Sequence, residues 1–260
     1  MEPGDLADTA TVNITKGVNI FGNVQTRLLS PSGAPAMTIN AGVSDQVTLR
    51  DFVIAGNGYG QPGGSHGIVF TTGHALRLIN MGLGGFGNGE ATAVKFFSSN
   101  GAGSFAKLQI FGSSFNGVTG NHLWISPDAG NAAVQIVGTH FENSSGNSIN
   151  ISSARGGTTA GSLENVEING VGNYGLYVAG GANCCTTVTV DRSVIRNTKW
   201  AVQAVNPKGN VFLNNSQITF NATGVSTGNG GHVISTQTNL ISANGADVAA
   251  GSTLDTISQK

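Results

Sequence analysis

The chain has 260 residues, of which 10% are charged and 39% hydrophobic, with 40 glycines and a formal net charge of −1. Without a basic tract there is no general electrostatic pull on nucleic acid, and no run approaches the ~18 apolar residues of a membrane-spanning helix. The apolar content is too high for disorder, and abundant glycine and asparagine suit short strands joined by tight turns.

In chain order, "MEPGDLADTA" has no basic segment followed by an apolar one, so it does not read as a signal peptide. "TVNIT" reads as the tail of a strand repeat, and "VNIFGN…AMTIN" as the first copy. The copies that follow are "VTLRDFVIAGNG…HGIVF", "LRLINMGLGGFGN…TAVKF", "LQIFGSSFNGVTGNHLWI", "VQIVGTHFENSSGNSINI", "GSLENVEINGVGNYGLYV", "VTVDRSVIRNTKWAVQA" and "VFLNNSQITFNATGVST". Each has an alternating apolar strand, a short polar bend, a second short strand and an Asn/Gly-rich turn. A third strand of the form Gly-apolar-x-apolar closes the copy. The first strands begin at Val47, Leu76, Leu108, Val134, Gly161, Val188, Val211 and Val233. These intervals are too short for propeller blades and carry no helical period. They predict a coil of parallel strands, each turn about 4.8 Å from the next.

Alternation then assigns the faces. The inward third-strand positions are Ile68/Phe70, Val94/Phe96, Leu123/Ile125, Ile149/Ile151, Leu176/Val178 and Val202/Ala204, a stacked apolar column. The bend after the first strand carries Asp51, Asn80, Gly112, Gly138, Asn165 and Asn215. These residue types tolerate left-handed backbone, and stacked Asn side chains can hydrogen-bond along the coil axis. Cys184 and Cys185 are adjacent, a pair that reads either as two free thiols in a turn or as a strained vicinal disulfide.

These third strands, Asn-rich bends and variable turns resemble the right-handed parallel β-helix repeats of the pectate-lyase-like superfamily, most closely its bacterial repeat proteins of no established activity. "VTLRDFVI", "ALRLINMGL" and "NNSQITFNATGV" carry the resemblance. The expected fold is therefore all-β: a right-handed single-stranded parallel β-helix of about nine coils, three short strands per coil. It forms one domain over residues 1–260, with residues 249–260 as a polar C-terminal tail. The resemblance also implies an N-terminal amphipathic plug, which "MEPGDLADTATVNIT" does not supply. Uncapped coil ends make self-association an expectation.

Fold alone does not fix chemistry. The polygalacturonase-type, epimerase-type and lyase-type segments of the superfamily are absent, as are a calcium loop, a Walker loop, a nucleophile elbow and HExxH. No cofactor and no metal site are expected. The outward third-strand positions are more informative: Lys95, Trp124, Asn150 and Tyr177 fall in one line, with Tyr174 and Trp200 at its turn side. Aromatic rings offer flat apolar faces with polar handles, which suit sugar faces. Equally, aromatics in strands pack on their neighbours under long turns.

The first expectation is a protein that binds extracellular polysaccharide along this line and works outside the cytoplasm, with no nucleic-acid or membrane partner. The second is a lyase or hydrolase on the same face. Lys95 or His122, which the alternation places outward, would be its base, and Arg155 would neutralise a uronate carboxylate near Asp128. The third is a structural rod or fibre module without a ligand. Glu164 and Asp191 fall in one column a coil apart, which suits either paired-carboxylate chemistry or charge compensation by Arg192 and Arg196.

Overall fold

A computed structural model describes residues 10–23, 25–56, 65–87, 89–153, 156–182 and 184–257, together with the backbone of Asp5–Leu6. It contains strands and turns only; no helix occurs among the described residues. All strand pairings are parallel, and the chain winds as a β-solenoid of about nine turns.

The first strands form a ten-stranded sheet running in sequence order from Val18–Phe21 to Leu254–Ile257. Its register aligns Val47, Leu76, Leu108, Val134, Gly161, Val188, Val211 and Val233 in one column. The second and third strands belong to an 18-stranded sheet that bends around the other two sides. In two coils they merge into single long strands, Glu167–Ala179 and Val194–Val205. The C-terminal segment read as a polar tail adds a strand: Leu254 pairs with Val233 and Ile257 with Thr236.

All six inward third-strand pairs are fully buried. Phe70 stacks on Phe96 at 4.4 Å between ring centroids, and Phe115 on Phe141 at 4.8 Å. Each such side chain contributes roughly 1.5–3 kcal/mol through burial, an upper value because unfolded chains already hide some apolar surface. One coil alone would leave half of each ring wet, so the stack stabilises only as a stack.

The bends explain the asparagines. The expected column is left-handed throughout: Asp51, Asn80, Gly112, Gly138, Asn165 and Asn215 have φ of 61°, 50°, 54°, 58°, 51° and 47°. Arg192 occupies the same column with φ 48°, an uncommon choice for a long side chain. Asn80 donates through Nδ2 to Asp51 Oδ1 at 3.0 Å, one rung of the expected ladder, and holds the Asp51 carboxyl below the usual range. Immediately after this bend, the buried hydroxyls of Ser113, Ser193 and Ser216 each accept a backbone N–H from the preceding coil (Met81, Val166, Ser193). Each also donates to a carbonyl two residues back. A second left-handed column, Gly85, Gly117, Asn143, Gly170, Asn197, Phe220 and Ala243, turns the second strand into the third.

Candidate functional site

The register places Lys95, Trp124, Asn150, Tyr177 and Gln203 side by side on five successive coils. All five are half-buried, flanked by fully buried neighbours. A parallel row lies three residues earlier, in register through Thr92, Asn121 and Asn147, and through Tyr174 and Trp200. The face therefore carries two adjacent rows.

Around Trp124 the face opens. A depression of about 310 Å³ is lined by Gly89, Glu90, Thr119, Gly120, Asn121, Trp124, Gly146, Asn147, Asn150 and Asn173. Glycine makes this hollow: a Cβ on Gly146 would lie 2.2 Å from the Gly120 carbonyl oxygen, and one on Gly120 2.4 Å from that of Ala91. Side chains at these turns would push the coils apart. In the hollow the amides form a ladder. Asn147 Nδ2 donates to Asn121 Oδ1 at 2.9 Å, and Asn173 Nδ2 donates to Asn147 Oδ1 at 3.0 Å. The backbone N–H of Tyr174 also donates to Asn147 Oδ1. The Asn150 Oδ1 is buried and has no hydrogen-bond partner among the described residues.

Aromatic side chains flank the amides on both sides. Trp124 meets the buried Phe97 edge-on at 4.9 Å. The Lys95 ammonium lies 4.8 Å from the Phe97 ring and 5.1 Å from the Trp124 ring. Such cation–π contacts contribute about 0.5–1 kcal/mol each at partly exposed sites. At the far end Tyr174 packs on Tyr177 at 5.2 Å and on Trp200 at 6.3 Å. Burial, then the neighbouring Tyr174, raises the Tyr177 hydroxyl above its ordinary range. His66 is pushed down to about 4, first by burial and then by the Lys95 charge.

The described residues considered for catalysis stand in different settings, Lys95 over the Phe97 and Trp124 rings. His122 is not on the outward face: it is fully buried. The third strand enters from a bend, so two consecutive residues, 122 and 123, turn inward. The same happens at Gly67, Ala93, Ser148, Gly175, Ala201 and Gly224, all buried. His122 Nε2 lies 3.0 Å from the Glu142 carbonyl oxygen and Nδ1 3.2 Å from Ser148 Oγ. The carbonyl only accepts, so Nε2 carries the proton and Nδ1 accepts from the serine hydroxyl. Burial pushes this imidazole down to about 3, against the opposing effect of the Glu142 carbonyl. A neutral imidazole with both nitrogens committed inside the core is no surface base. Asp128 is half-buried and accepts from Ser99 Oγ at 2.8 Å, while Arg155 lies outside the described residues.

The second charged group is ion-paired. Glu164 and Asp191 are in register, and Arg192 bridges them, with Nη2 on Glu164 and Nη1 on Asp191. Arg196 pairs with Glu167, not with Glu164 or Asp191. Among the described residues no group of three or more His, Cys, Asp or Glu side chains is placed to hold a metal ion. Cys184 and Cys185 are free thiols.

The amide ladder, Glu90 and Phe97 are missing from the sequence-level site. The signal that finds the ladder is the dipeptide Gly-Asn at 120–121, 146–147 and 172–173. The hydrogen-bonded asparagines are spaced by 26 residues at each step, one coil. No protein-family model, curated protein or solved structure matches the chain.

Proposed function

We propose that the protein binds polysaccharide along the outward third-strand face. The observation that carries this reading is the open hollow beside Trp124, in which an aromatic ring and a ladder of amides face solvent together. Saccharide recognition needs a flat apolar surface for the sugar's C–H face and fixed polar groups for its hydroxyls. Trp124 and Tyr177 stand two coils apart, about 10 Å by strand spacing, close to the repeat of two sugar units along an extended chain. The low charge and the resemblance to pectate-lyase-like β-helices agree with a role outside the cytoplasm, where such chains are met.

The test is affinity electrophoresis and glycan-array binding of the whole chain, with Trp124→Ala and Tyr177→Ala. Each substitution should weaken retention by a labelled glycan about tenfold, equivalent to ~1.4 kcal/mol. The thermal unfolding midpoint should fall by only a few degrees, since both rings are half-buried. Binding that is absent for every neutral and acidic glycan, or that survives both substitutions, rejects the proposal.

A further inference from the structure

The chemistry of the hollow specifies the kind of sugar, and this step rests on the saccharide reading above. We infer that the hollow takes an uncharged, hydroxyl-rich sugar unit and disfavours uronates.

Three observations carry the inference. First, the lining is almost wholly neutral. Among the described residues Glu90 is the only ionisable side chain that lines the hollow, and it is exposed at the rim. A uronate carboxylate would approach a like charge and find no cation in the lining. Lys95, beside Trp124 on this face, is engaged over the Phe97 and Trp124 rings rather than lining the hollow.

Second, the ladder is open at both ends. Asn121 accepts from Asn147, and its own Nδ2 donor group has no partner among the described residues. Asn173 donates to Asn147, and its own Oδ1 acceptor has no partner among the described residues. Between them, Asn150 lines the hollow with an amide whose buried oxygen has no hydrogen-bond partner among the described residues. A free donor and a free acceptor two coils apart match hydroxyls, which both donate and accept. A carboxylate only accepts and would leave the acceptors unmatched.

Third, the size is right for a short stretch of chain. About 310 Å³ lies at the small end of ligand-binding hollows and is open on one side. Tyr174, Tyr177 and Trp200 continue the face beyond the last amide, where the next sugar units would lie.

The experiment is isothermal titration calorimetry of the whole chain with neutral hexasaccharides (cellohexaose, mannohexaose) and with hexagalacturonate, in about 0.15 M salt so that long-range charge effects are screened. At least one neutral oligosaccharide should bind at least fivefold more tightly than the uronate. Asn150→Ala should weaken neutral binding about tenfold. Glu90→Gln, which removes the rim charge, should raise the ratio of uronate to neutral affinity at least fivefold. Tighter uronate binding by the native chain overturns this inference and leaves the polysaccharide reading standing. Absence of binding to all three overturns this inference, and the polysaccharide reading falls with it when the glycan array is silent as well. If Asn150→Ala fails to fold, the native affinity ratio and Glu90→Gln still decide.

Discussion

The buried histidine makes a quantitative claim about acid stability. His122 in the folded chain is held at about 3 by burial, against 6.5 for an unperturbed imidazole. The unfolded chain therefore takes up a proton first as pH falls. The stabilisation is fully present above the unfolded pKa and is lost as pH drops below 6.5 towards the folded value. Between pH 7 and pH 5 the unfolded chain gains most of one proton at this site and the folded chain almost none. Linkage then gives a loss of about 2 kcal/mol, a large share of a typical domain's stability. His66, also lowered, adds a loss of the same sign, so the His122 contribution must be isolated by difference. The matched variant is His122→Gln, whose amide can donate to the Glu142 carbonyl and accept from Ser148 without titrating. Urea unfolding of both proteins at pH 7 and pH 5 gives the four stabilities needed. The native chain should lose about 2 kcal/mol more than the variant over this range. Equal losses refute the argument. So does an NMR titration in which the His122 ring protonates near 6 in the folded protein, because a buried, doubly bonded imidazole cannot do so without opening the core.

Two further outcomes test the coil geometry. Arg192→Asn and Arg192→Val both remove the exposed ion pairs to Glu164 and Asp191, worth at most about 1 kcal/mol. Only valine is β-branched in the left-handed bend at φ 48°, so the valine variant should be about 1–2 kcal/mol less stable than the asparagine variant by chemical denaturation; equal stabilities would mean the bend relaxes freely. Gly146→Ala forces a Cβ to 2.2 Å from the Gly120 carbonyl oxygen, whereas a Cβ at Gly138 meets nothing within 4 Å and suffers only from its φ of 58°. Thermal unfolding should show Gly138→Ala costing about 1 kcal/mol and Gly146→Ala distinctly more, within or above the roughly 1–3 kcal/mol of an overpacked site.

The apolar columns and the left-handed bends were legible in the sequence because both are repeated: Leu123 has the apolar partners Val94 and Ile149 at the same offset in the neighbouring coils, and Asn80 has Asp51 and Gly112 at the bend. A one-residue register error would turn the whole column outward, which makes the pattern self-checking. His122 was misplaced because strict alternation was carried one residue too far, into the bend where the strand starts and 122 and 123 both turn inward. The aligned residues Gly67, Ala93, Ser148, Gly175, Ala201 and Gly224 already signalled this, since their small size marks a crowded inside corner. Arg192 was legible as a charge partner at this bend but not as a left-handed residue, because the rest of its column is Asn, Asp and Gly and nothing local to arginine announces positive φ. The merging of second and third strands at Glu167–Ala179 and Val194–Val205 depends on how far each bend opens, a tertiary property.

The outward row was legible as a line but not as a hollow. A line follows from register alone, whereas a hollow requires knowing what the adjacent turns lack. Here the turns before Asn121 and Asn147 carry glycine in a place where close coil contact forbids a side chain, and that missing bulk exposes the amides beside Trp124. The same two coils differ inside. Where Gly67, Ala93, Gly175, Ala201 and Gly224 fill the inside corner in neighbouring coils, these coils place His122 and Ser148, which hydrogen-bond each other beneath the strands that carry Asn121, Trp124, Asn147 and Asn150 outward. His122 also packs against Phe115 and Phe141 and ties the corner to the Glu142 backbone. For the sugar binding proposed above, a hollow free of covering side chains gains from a wall fixed from within, because binding is strongest when the polar groups are already ordered. The imidazole–hydroxyl pair supplies that support at the two coils where the surface has been opened.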